Sequence, residues 1–452
     1  MEPLRIGNGC GFWGDSLDAP IRLAAVGRLD VLTLEYLAEL TMSILAVQKA
    51  KDPHAGYATD FLDVLARLAP ELHRQPKLKI ITNAGGMNPL ACAMKARDVL
   101  TAAKLTNRRV AVVSGDDLLP GLPSLLEAGH ELTNLDTGEP FESVQDRIVS
   151  ANAYLGAEPI AAALAAGADV VITGRIADAS LTVGPSAHAF GWRFDATHRD
   201  RLAAATVAGH LIECGAQATG GLWIHADAST RLENVGYPIV EVAGDGTFTL
   251  TKPEGTGGAV NIETVAEQLL YEVADPAKYF TPDVTADFTT VTLESAGPSR
   301  VAVRGGTANG ITDSYKVSAA YRDGYMAAGM LVIAGPRAVE KARRSGEIML
   351  RRLHAAGLMF QRSNIEVLGA GAVAPGVLPA ADPPEVVLRV AVRDPRRAAV
   401  ERFTKEFAPL VTSGFPGTTG YTTGRPPVRE VFAYWPTLIA KSAVTPRMEI
   451  VS

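Results

Sequence analysis

The chain has 452 residues, of which 47% are hydrophobic and 20% charged, an ordinary globular composition at a length that suggests two or three domains. The formal net charge is −6 and no long basic run occurs, which excludes binding to a nucleic-acid backbone. No uncharged apolar stretch reaches the ~18 residues of a membrane helix, and the start lacks a secretory signal, so we expect a cytoplasmic protein without a membrane partner.

One pattern occurs six times between Leu4 and Asp178: a short apolar run, then Gly, Asn, Ser, Asp or Glu, then an amphipathic stretch. The runs are residues 4–6, 31–34, 79–81, 110–113, 147–149 and 170–172. In βαβ units the strands point the same way, so the residues after them gather at one edge, where open α/β sheets bind ligands. Residues 1–220 are therefore predicted to form an α/β domain, mainly parallel and doubly wound-like, that carries the main crevice.

The pattern changes beyond about Gly220 to strand-like runs separated by turns. Residues 237–242 and 247–250 flank the pair Asp245-Gly246, which predicts a β-hairpin. More strand candidates follow, and then one long helix candidate, Pro336–Ala356. Strands grouped before a helix predict an α+β domain at residues 221–452, which we expect to close over the crevice.

The first polar segment, GCGFWG at residues 9–14, matches the GxGxxG pattern of dinucleotide-binding loops. However, Phe12 and Trp13 are bulky where such a loop keeps small residues. We therefore interpret it as a tight turn at the mouth of the crevice, with Gly9, Gly11 and Asp15 as candidate substrate-binding residues, rather than as an NAD or FAD site.

Two polar segments follow the third and fourth runs. Asn83 and the amides of Gly85 and Gly86 could present donors to a carboxylate or thioester oxygen, as oxyanion sites require; the alternative is a plain loop with Asn as a helix cap. Asp116 and Asp117 are candidates for a base or for ligands of a divalent metal, and the alternative is that one of them caps the next helix.

The last two polar segments contain Asn152 and Tyr154, candidate binding residues, and Arg175. An arginine at the end of a buried strand suits an anion, and its planar guanidinium binds a carboxylate bidentately. The alternative is an internal salt bridge with Asp178 or Glu35.

Two glycine-containing loops complete the candidate site. The segment KPEGTGG at residues 252–258 precedes a helix candidate and predicts an anion-binding loop at a helix N-terminus, although it lacks the ending of a nucleotide P-loop. The loop Ser413–Arg425 is expected to move over the crevice. The candidate binding residues from these loops are Lys252, Gly255, Thr256, Gly257, Gly258, Tyr421 and Arg425.

The usual signatures of several enzyme classes are missing. The eight histidines show no HxH or HExxH spacing, the three cysteines show no CxxC spacing, and no serine lies in a GxSxG motif. We therefore expect no zinc site, no serine triad and no cofactor. A divalent metal held by carboxylates is the alternative.

Several long motifs make the chain resemble the acyclic terpene utilisation protein A (AtuA) family, formerly a domain of unknown function. They cover essentially the whole chain and include GCGFWGD, ITNAGGMNP, ANAYLGAEPIAAALAAGADVVITGRIADAS, ECGAQATGG, TKPEGTGG, SGFPGTTGY and GRPPVREVFAYWP. One departure is GLWIH at residues 221–225, where the family has a more polar and aromatic continuation. If that segment lines the substrate pocket, the substrate of this member differs from that of the name-giving protein.

The resemblance implies a role in the catabolic pathway that degrades citronellol and geraniol through CoA thioesters, with a branched hydroxyacyl-CoA as the suggested substrate. It carries over no set of catalytic residues. The candidate residues named above therefore rest on strand ends and glycine loops alone.

Together these observations predict an enzyme, a lyase or hydratase acting on a small or branched (hydroxy)carboxylate or its CoA thioester, which we expect to be a homo-oligomer. Such chemistry needs an acid/base pair and donors for an enolate oxygen. The acid/base candidates are Glu35, Asp116, Asp117 and Asp178, the donors are Asn83, Gly85 and Gly86, and Arg175 is assigned to a substrate carboxylate. The alternatives are a metal-dependent hydrolase or lyase and a non-catalytic subunit of a CoA-pathway complex.

Overall fold

The computed structural model describes residues 2–378, 382–421 and 424–451, and its mixture of helices and strands confirms the α/β class. The helices are α1 (Ala19–Val26), α2 (Glu39–Lys51), α3 (Asp60–Arg74), α4 (Pro89–Ala102), α5 (Leu122–Glu127), α6 (Glu158–Ala165), α7 (Ser180–Phe190), α8 (Arg199–Glu213), α9 (Ile262–Leu270), α10 (Ala338–Ala355), α11 (Arg397–Thr404) and α12 (Phe407–Ser413). Among these described helices, none has the length and apolar character needed to cross a membrane.

The strands are named in chain order. They are β1 (Leu4–Asn8), β2 (Val31–Leu34), β3 (Lys79–Thr82), β4 (Val110–Ser114), β5 (Ile148–Ala153), β6 (Val170–Thr173), β7 (Ile239–Val242), β8 (Phe248–Thr251), β9 (Tyr279–Phe280), β10 (Thr285–Asp287), β11 (Thr292–Ser295), β12 (Arg300–Arg304), β13 (Thr307–Ala308), β14 (Ser314–Ala334), β15 (Arg362–Leu368), β16 (Glu385–Asp394), β17 (Thr418–Tyr421), β18 (Arg429–Ala440) and β19 (Arg447–Val451).

The main sheet has ten strands in the order β11-β12-β8-β7-β1-β2-β3-β6-β4-β19. Its centre, from β1 to β4, is parallel throughout, as five of the six apolar runs predict. The strands on both flanks are antiparallel to their neighbours, and β19 pairs with β4 so that Val451 lies opposite Val110. The residues that follow the parallel strands therefore share one edge of the sheet.

Helices cover both faces of the parallel centre. Side chains of β2 and β3 such as Leu32, Leu34 and Ile80 pack in one core with Phe61 of α3 and Leu100 of α4. The residues that alternate with them along the strands are buried too. On that face α7 packs on β1 and β2, and α8 packs on β1. A strand that is buried on both faces carries a continuous apolar run, which is why these strands were recognisable in the sequence.

The strand predicted at residues 147–149 is present, but its predicted place in the parallel centre of the sheet is wrong. The strand there, β5, is longer and pairs with β14 instead of joining the parallel centre. Its residues Asn152 and Ala153 lie beside the segment after β4, where Ala153 N–H donates to the carbonyl oxygen of Asp116 at 2.8 Å. The polar residues after this run thus reach the sheet edge from the side.

The chain divides into two compact units, Met1–Ala320 with Tyr434–Ser452, and Tyr321–Ala433. The boundary expected after residue 220 lies inside the first unit. The predicted hairpin is present as β7 and β8, but β7 pairs with β1 and so extends the first sheet. An unpaired β1 would present an open sheet edge, and the antiparallel strands cover it.

The second unit has its own core. The strand β16 pairs along its length with β14 and with β15. The predicted long helix is present as α10, and it buries Met349 and Leu353 against strand residues that include Leu331 and Leu388. Tyr421 at the end of β17 and Arg425 belong to this unit, and the expectation that their loop closes over the site stays a prediction.

A close approach between α8 and the segment before α7 depends on Gly209. A Cβ atom at residue 209 would lie 2.6 Å from the carbonyl oxygen and 2.7 Å from the Cα of Ala179. These are backbone atoms that cannot rotate away. Only glycine therefore lets the C-terminal half of α8 pack against the residues next to Asp178.

We expect Gly209→Ala to destabilise the protein, although alanine ordinarily improves a helix interior by about 1 kcal/mol. The added methyl group must displace backbone, and such overpacking costs about 1–3 kcal/mol. Gly121→Ala is the control, because a Cβ there meets no atom within 4 Å. Chemical denaturation of both variants measures the effect, and equal stabilities would contradict the packing argument.

Candidate active site

A cavity of about 860 Å³ lies in the first unit, at the edge where the parallel strands end. Its walls include residues that follow β1, β2 and β6, the end of α8, and the segment from Tyr271 to Thr281. The lining is rich in acidic side chains. They are Asp15, Glu35, Glu39, Asp178, Glu213, Glu272 and Asp275, against the basic residues Arg175, Lys278 and Lys316 and the imidazole of His210.

Arg175 is the central residue of the floor and is almost fully buried. Its Nη1 donates to the carbonyl oxygen of Leu37 at 3.1 Å and to Asp178 Oδ1 at 2.9 Å. The guanidinium lies on the ring of Tyr154, 4.1 Å from its centroid, in a cation–π contact. Of the two interpretations offered for Arg175, the internal salt bridge with Asp178 is therefore formed.

Glu35 lies beside this ion pair and is also buried. Its Oε1 accepts hydrogen bonds from Leu37 N–H at 3.0 Å and from the side-chain amide of Asn83, whereas its Oε2 has no hydrogen-bond partner. Burial, reinforced by the negative charge of Asp178, raises the pKa of Glu35 well above its usual value, and the Arg175 cation offsets this only in part. Glu35 is thus a carboxyl group that holds its proton more strongly than an ordinary glutamate.

Glu39 is a cavity residue that the sequence did not point to. It begins α2, and its Oε1 accepts a hydrogen bond from the Tyr154 hydroxyl at 2.6 Å and lies 3.6 Å from Lys316 Nζ. Burial acts to raise the pKa of Glu39, but the Tyr154 hydroxyl and the Arg175 cation outweigh it, so that the pKa is lowered. Glu35 and Glu39 are therefore neighbouring carboxyls with opposite protonation preferences.

His210 and Glu213, one turn apart on α8, were also missed. His210 Nδ1 lies 3.2 Å from Glu213 Oε1, and His210 Nε2 lies 3.0 Å from the carbonyl oxygen of Gln268. Burial raises the pKa of Glu213 to about 7. Burial acts to lower the pKa of His210, but the Glu213 carboxyl outweighs it and the pKa is raised.

The sequence pattern described as "Acyclic terpene utilisation family protein AtuA" matches residues 4–450. The chain belongs to the AtuA family. The resemblance seen in the motifs is thereby confirmed, and it covers both units. No curated protein and no solved structure shows a significant similarity to the chain. Membership of the AtuA family does not by itself state a chemical reaction.

Six of the residues predicted for the site line the cavity of this AtuA-family protein. They are Gly11, Asp15, Glu35, Tyr154, Arg175 and Asp178. Gly221 and Leu222, from the segment that departs from the family pattern, line it as well. Asp15 is engaged within the wall, where it accepts hydrogen bonds from Gly11 N–H at 2.8 Å and from the Tyr237 hydroxyl at 2.6 Å.

Other predicted residues lie behind the cavity wall. The side-chain amide of Asn83 donates to Glu35 Oε1, and its oxygen accepts a hydrogen bond from Tyr36 N–H. The Gly86 amide donates to the backbone carbonyl oxygen of Asn83 at 3.1 Å. Gly9 is buried, and its amide donates to the carbonyl oxygen of Thr33. Gly85 packs against the carbonyl group of Thr173, and a Cβ atom at residue 85 would lie 2.5 Å from that carbonyl oxygen. The Asn83 side-chain amide and the Gly86 amide therefore already have partners within the chain, and the role of Asn83, Gly85 and Gly86 as enolate donors stays a prediction.

Asp116 and Asp117 also have structural partners. The buried Asp116 Oδ2 accepts hydrogen bonds from the Asn152 side chain at 2.8 Å and from Arg175 N–H at 2.9 Å, and burial raises the pKa of Asp116 to about 6. Asp117 accepts Leu119 N–H at 3.1 Å. Asp116 and Asn152 thus fix the backbone that carries Arg175, and neither aspartate lines the cavity.

The loop Lys252–Gly258 is not part of the cavity lining. The amides of Thr256, Gly257 and Gly258 donate to carbonyl oxygens of Pro253, Asn234 and Thr230, and Lys252 Nζ donates to the carbonyl oxygen of Thr256 at 2.7 Å. These donors are already used within the chain. An anion bound by Lys252 and the amides of Thr256, Gly257 and Gly258 would have to displace these contacts, and the role predicted for this loop, Gly255 included, stays a prediction.

In residues 2–378, 382–421 and 424–451, three or more His, Cys, Asp or Glu side chains are nowhere grouped so that they could hold a metal ion. Dependence on a divalent metal stays open to experiment.

We expect the unusual pKa of Glu35 to appear in the pH dependence of stability. Because the pKa of Glu35 is raised in the folded protein, its contribution to stability is lost as the pH rises through that value. Glu35→Gln has no proton to lose there. As the pH rises above the ordinary pKa of a glutamate, the free energy of unfolding of wild type should therefore fall relative to that of Glu35→Gln in denaturant titrations.

Glu39→Gln is the matched control of opposite sign. The pKa of Glu39 is lowered, so its contribution is present above the unfolded-state pKa and is lost as the pH falls through the folded one. The free energy of unfolding of wild type should therefore rise relative to that of Glu39→Gln as the pH rises through the acidic range. The same slope for both variants would refute the assignment of the two carboxyls.

Proposed function

We propose that this protein is a hydratase or lyase that acts by acid/base chemistry on a branched hydroxyacyl compound, in its thioester form. The observation that carries the proposal is Glu35, a cavity-lining carboxyl with an unpartnered Oε2 and a raised pKa, beside the cation of Arg175. A catalytic carboxyl works best when its pKa lies near the operating pH, and burial is the usual means of raising it.

In this proposal Glu35 moves a proton to or from the substrate carbon or oxygen. Arg175 and Lys316 supply positive charge that stabilises the negative charge developing on the carbonyl oxygen of the substrate. Asp178 orients Arg175 through its hydrogen bond, and Tyr154 covers one face of the guanidinium. Asn83 orients Glu35 in the same way from behind the wall.

The charge of the cavity favours a thioester over a free carboxylate. Arg175 is already bonded to Asp178, and Glu35, Glu39 and Glu213 also line the cavity. A substrate carboxylate would have to displace Asp178 from Arg175, or bind Lys278 or Lys316 among the acidic side chains of the lining, which is costly. A neutral thioester carbonyl and a hydroxyl group avoid this repulsion.

The rim of the cavity supports an apolar substrate body. Phe12, Leu222 and Phe280 line it and are 59%, 84% and 67% exposed. Large apolar side chains clustered around a polar floor are typical of a site for an amphipathic ligand. The family name refers to acyclic terpenes, which are branched and apolar. Because Leu222 belongs to the departing segment, we propose that the substrate body differs from that of the name-giving protein.

The test is turnover with a panel of linear and branched β-hydroxyacyl and enoyl thioesters and the corresponding free acids, with and without EDTA. We expect a branched thioester to be hydrated or dehydrated, and Glu35→Gln to lower kcat by about 10²–10⁴-fold. Loss of turnover in EDTA that magnesium or manganese restores would favour the metal-dependent alternative.

Glu71→Gln is the control for this test, because Glu71 is a buried glutamate of α3 that lies outside the cavity lining. It should keep wild-type kcat. Full activity of Glu35→Gln would refute the proposed role of Glu35. If no panel member is converted and none raises the Tm, the non-catalytic alternative gains support.

A further inference from the structure

The hydrogen bonds around His210 fix where its protons are. Nε2 faces the carbonyl oxygen of Gln268 at 3.0 Å, and a carbonyl oxygen only accepts, so Nε2 carries a hydrogen. Nδ1 faces Glu213 Oε1 at 3.2 Å. A neutral imidazole with Nε2–H would present a lone pair to Glu213 there, and an ionised Glu213 would present another. One further proton must therefore lie between these atoms, on His210 or on Glu213.

The surroundings stabilise that proton. His210 lies in the last turn of α8, and its carbonyl partner Gln268 lies in the last turn of α9, so the negative ends of two helices meet at the imidazole. The contact is reciprocal, because the Gln268 side chain donates to the carbonyl oxygen of His210 at 3.1 Å. Asn8 fixes the end of α8 through the carbonyls of Ile212 and Glu213, at 2.6 and 2.9 Å.

Glu213 lines the cavity, and its side chain is 10% exposed. Its Oε2 is buried without a hydrogen-bond partner, as is also true of Glu35 Oε2. Apart from His210, the charged groups that act most strongly on Glu213 are the carboxyls of Asp178 and Glu272. Their negative charge favours retention of the proton by the pair, whereas the neutral Cys214 and Tyr279 beside Glu213 add no charge that opposes it.

We propose that His210 and Glu213 form a second proton-transfer site of the cavity, which delivers one shared proton from Glu213 to the hydroxyl oxygen of a β-hydroxyacyl thioester. This rests on the proposed function and adds the acid that acts opposite Glu35. The inferred substrate class is a thioester whose hydroxyl group lies one carbon beyond the carbon that Glu35 deprotonates.

The step balances as a dehydration. The proton of Glu213 passes to the substrate hydroxyl oxygen, the carbon–oxygen bond breaks, and its electron pair leaves with the oxygen as water. Ionised Glu35 takes the proton of the adjacent carbon, and the electron pair of that carbon–hydrogen bond forms the double bond. The pair then regains a proton from solvent and Glu35 releases one. The reverse sequence hydrates an enoyl thioester.

The shared proton can be measured without a substrate. In the full chain labelled with ¹⁵N-histidine and ¹³C-glutamate, the His210 resonance is the one absent from His210→Asn, and the Glu213 carboxyl resonance is the one absent from Glu213→Gln. At neutral pH we expect either a cationic His210 or a protonated Glu213, with Nε2–H present in both cases. A neutral imidazole together with an ionised Glu213 overturns the inference.

Glu213→Gln keeps the geometry, because the glutamine amide can donate to Nδ1, and it removes the titratable proton of the carboxyl group. His210 should then become neutral with Nε2–H at neutral pH. A His210 that stays cationic in this variant contradicts the pairing. The comparison uses the same spectra and does not require His210→Asn to fold, because Glu213→Gln alone shifts the His210 resonance and so assigns it.

The catalytic role is tested on a thioester that wild type converts. Glu213→Gln should lower kcat by about 10²–10⁴-fold and remove the fall of kcat at high pH, where the wild-type pair loses its proton. Glu71→Gln is again the control. Full turnover in Glu213→Gln, with turnover lost in Glu35→Gln, overturns this inference and leaves the proposed function in place. If no thioester is converted, the proposed function fails, and the NMR measurement alone decides whether the proton is shared.

Discussion

The buried guanidinium of Arg175 is the interaction on which the geometry of the cavity depends. It joins three segments, because it bonds the carbonyl oxygen after β2 and the Asp178 carboxylate after β6, and stacks on Tyr154 after β5. Its Nε has no hydrogen-bond partner, but its charge is matched by Asp178. Removing Arg175 would take away the buried cation that offsets the charges of Asp178 and Glu35, so it is a structural requirement before it is a chemical one.

This requirement creates the chemistry around it. Three basic side chains, those of Arg175, Lys278 and Lys316, cannot neutralise the seven acidic side chains of the lining, so protons supply part of the charge balance. Glu39 stays ionised because the Tyr154 hydroxyl donates to it, whereas Glu35 and Glu213 each keep an oxygen without a partner. Enclosing several carboxyls in one cavity thus gives similar side chains different pKa values. Acid/base catalysis depends on such differences.

The parallel centre of the sheet could be predicted because strands buried on both faces have continuous apolar sequences. The edge location of Glu35 and Arg175 followed from that. The sequence could not show which side chains at the edge enter the cavity and which turn to their neighbours, as Asp116 does. The pair His210 and Glu213 is visible only as a spacing of one helical turn, which is common in helices. What places it at the cavity is the packing of α8, which needs Gly209.

The glycines of the segment at residues 255–258 suggested free amides, but the amides of Gly257 and Gly258 donate to the carbonyl oxygens of Asn234 and Thr230. The pairing of the strands on the flanks of the sheet could not be predicted either, because the sequence of a short strand such as β7 does not show which strand it pairs with.

The pairing of β19 with β4 has a consequence for biosynthesis. The two strands are separated by most of the chain, yet they are neighbours in the same sheet. While the chain is being made, β4 keeps an open edge of unpaired backbone groups until residues 447–451 have left the ribosome. Such edges recruit other strands, and distant pairing slows folding. The first unit therefore cannot complete its main sheet until its last strand has been synthesised.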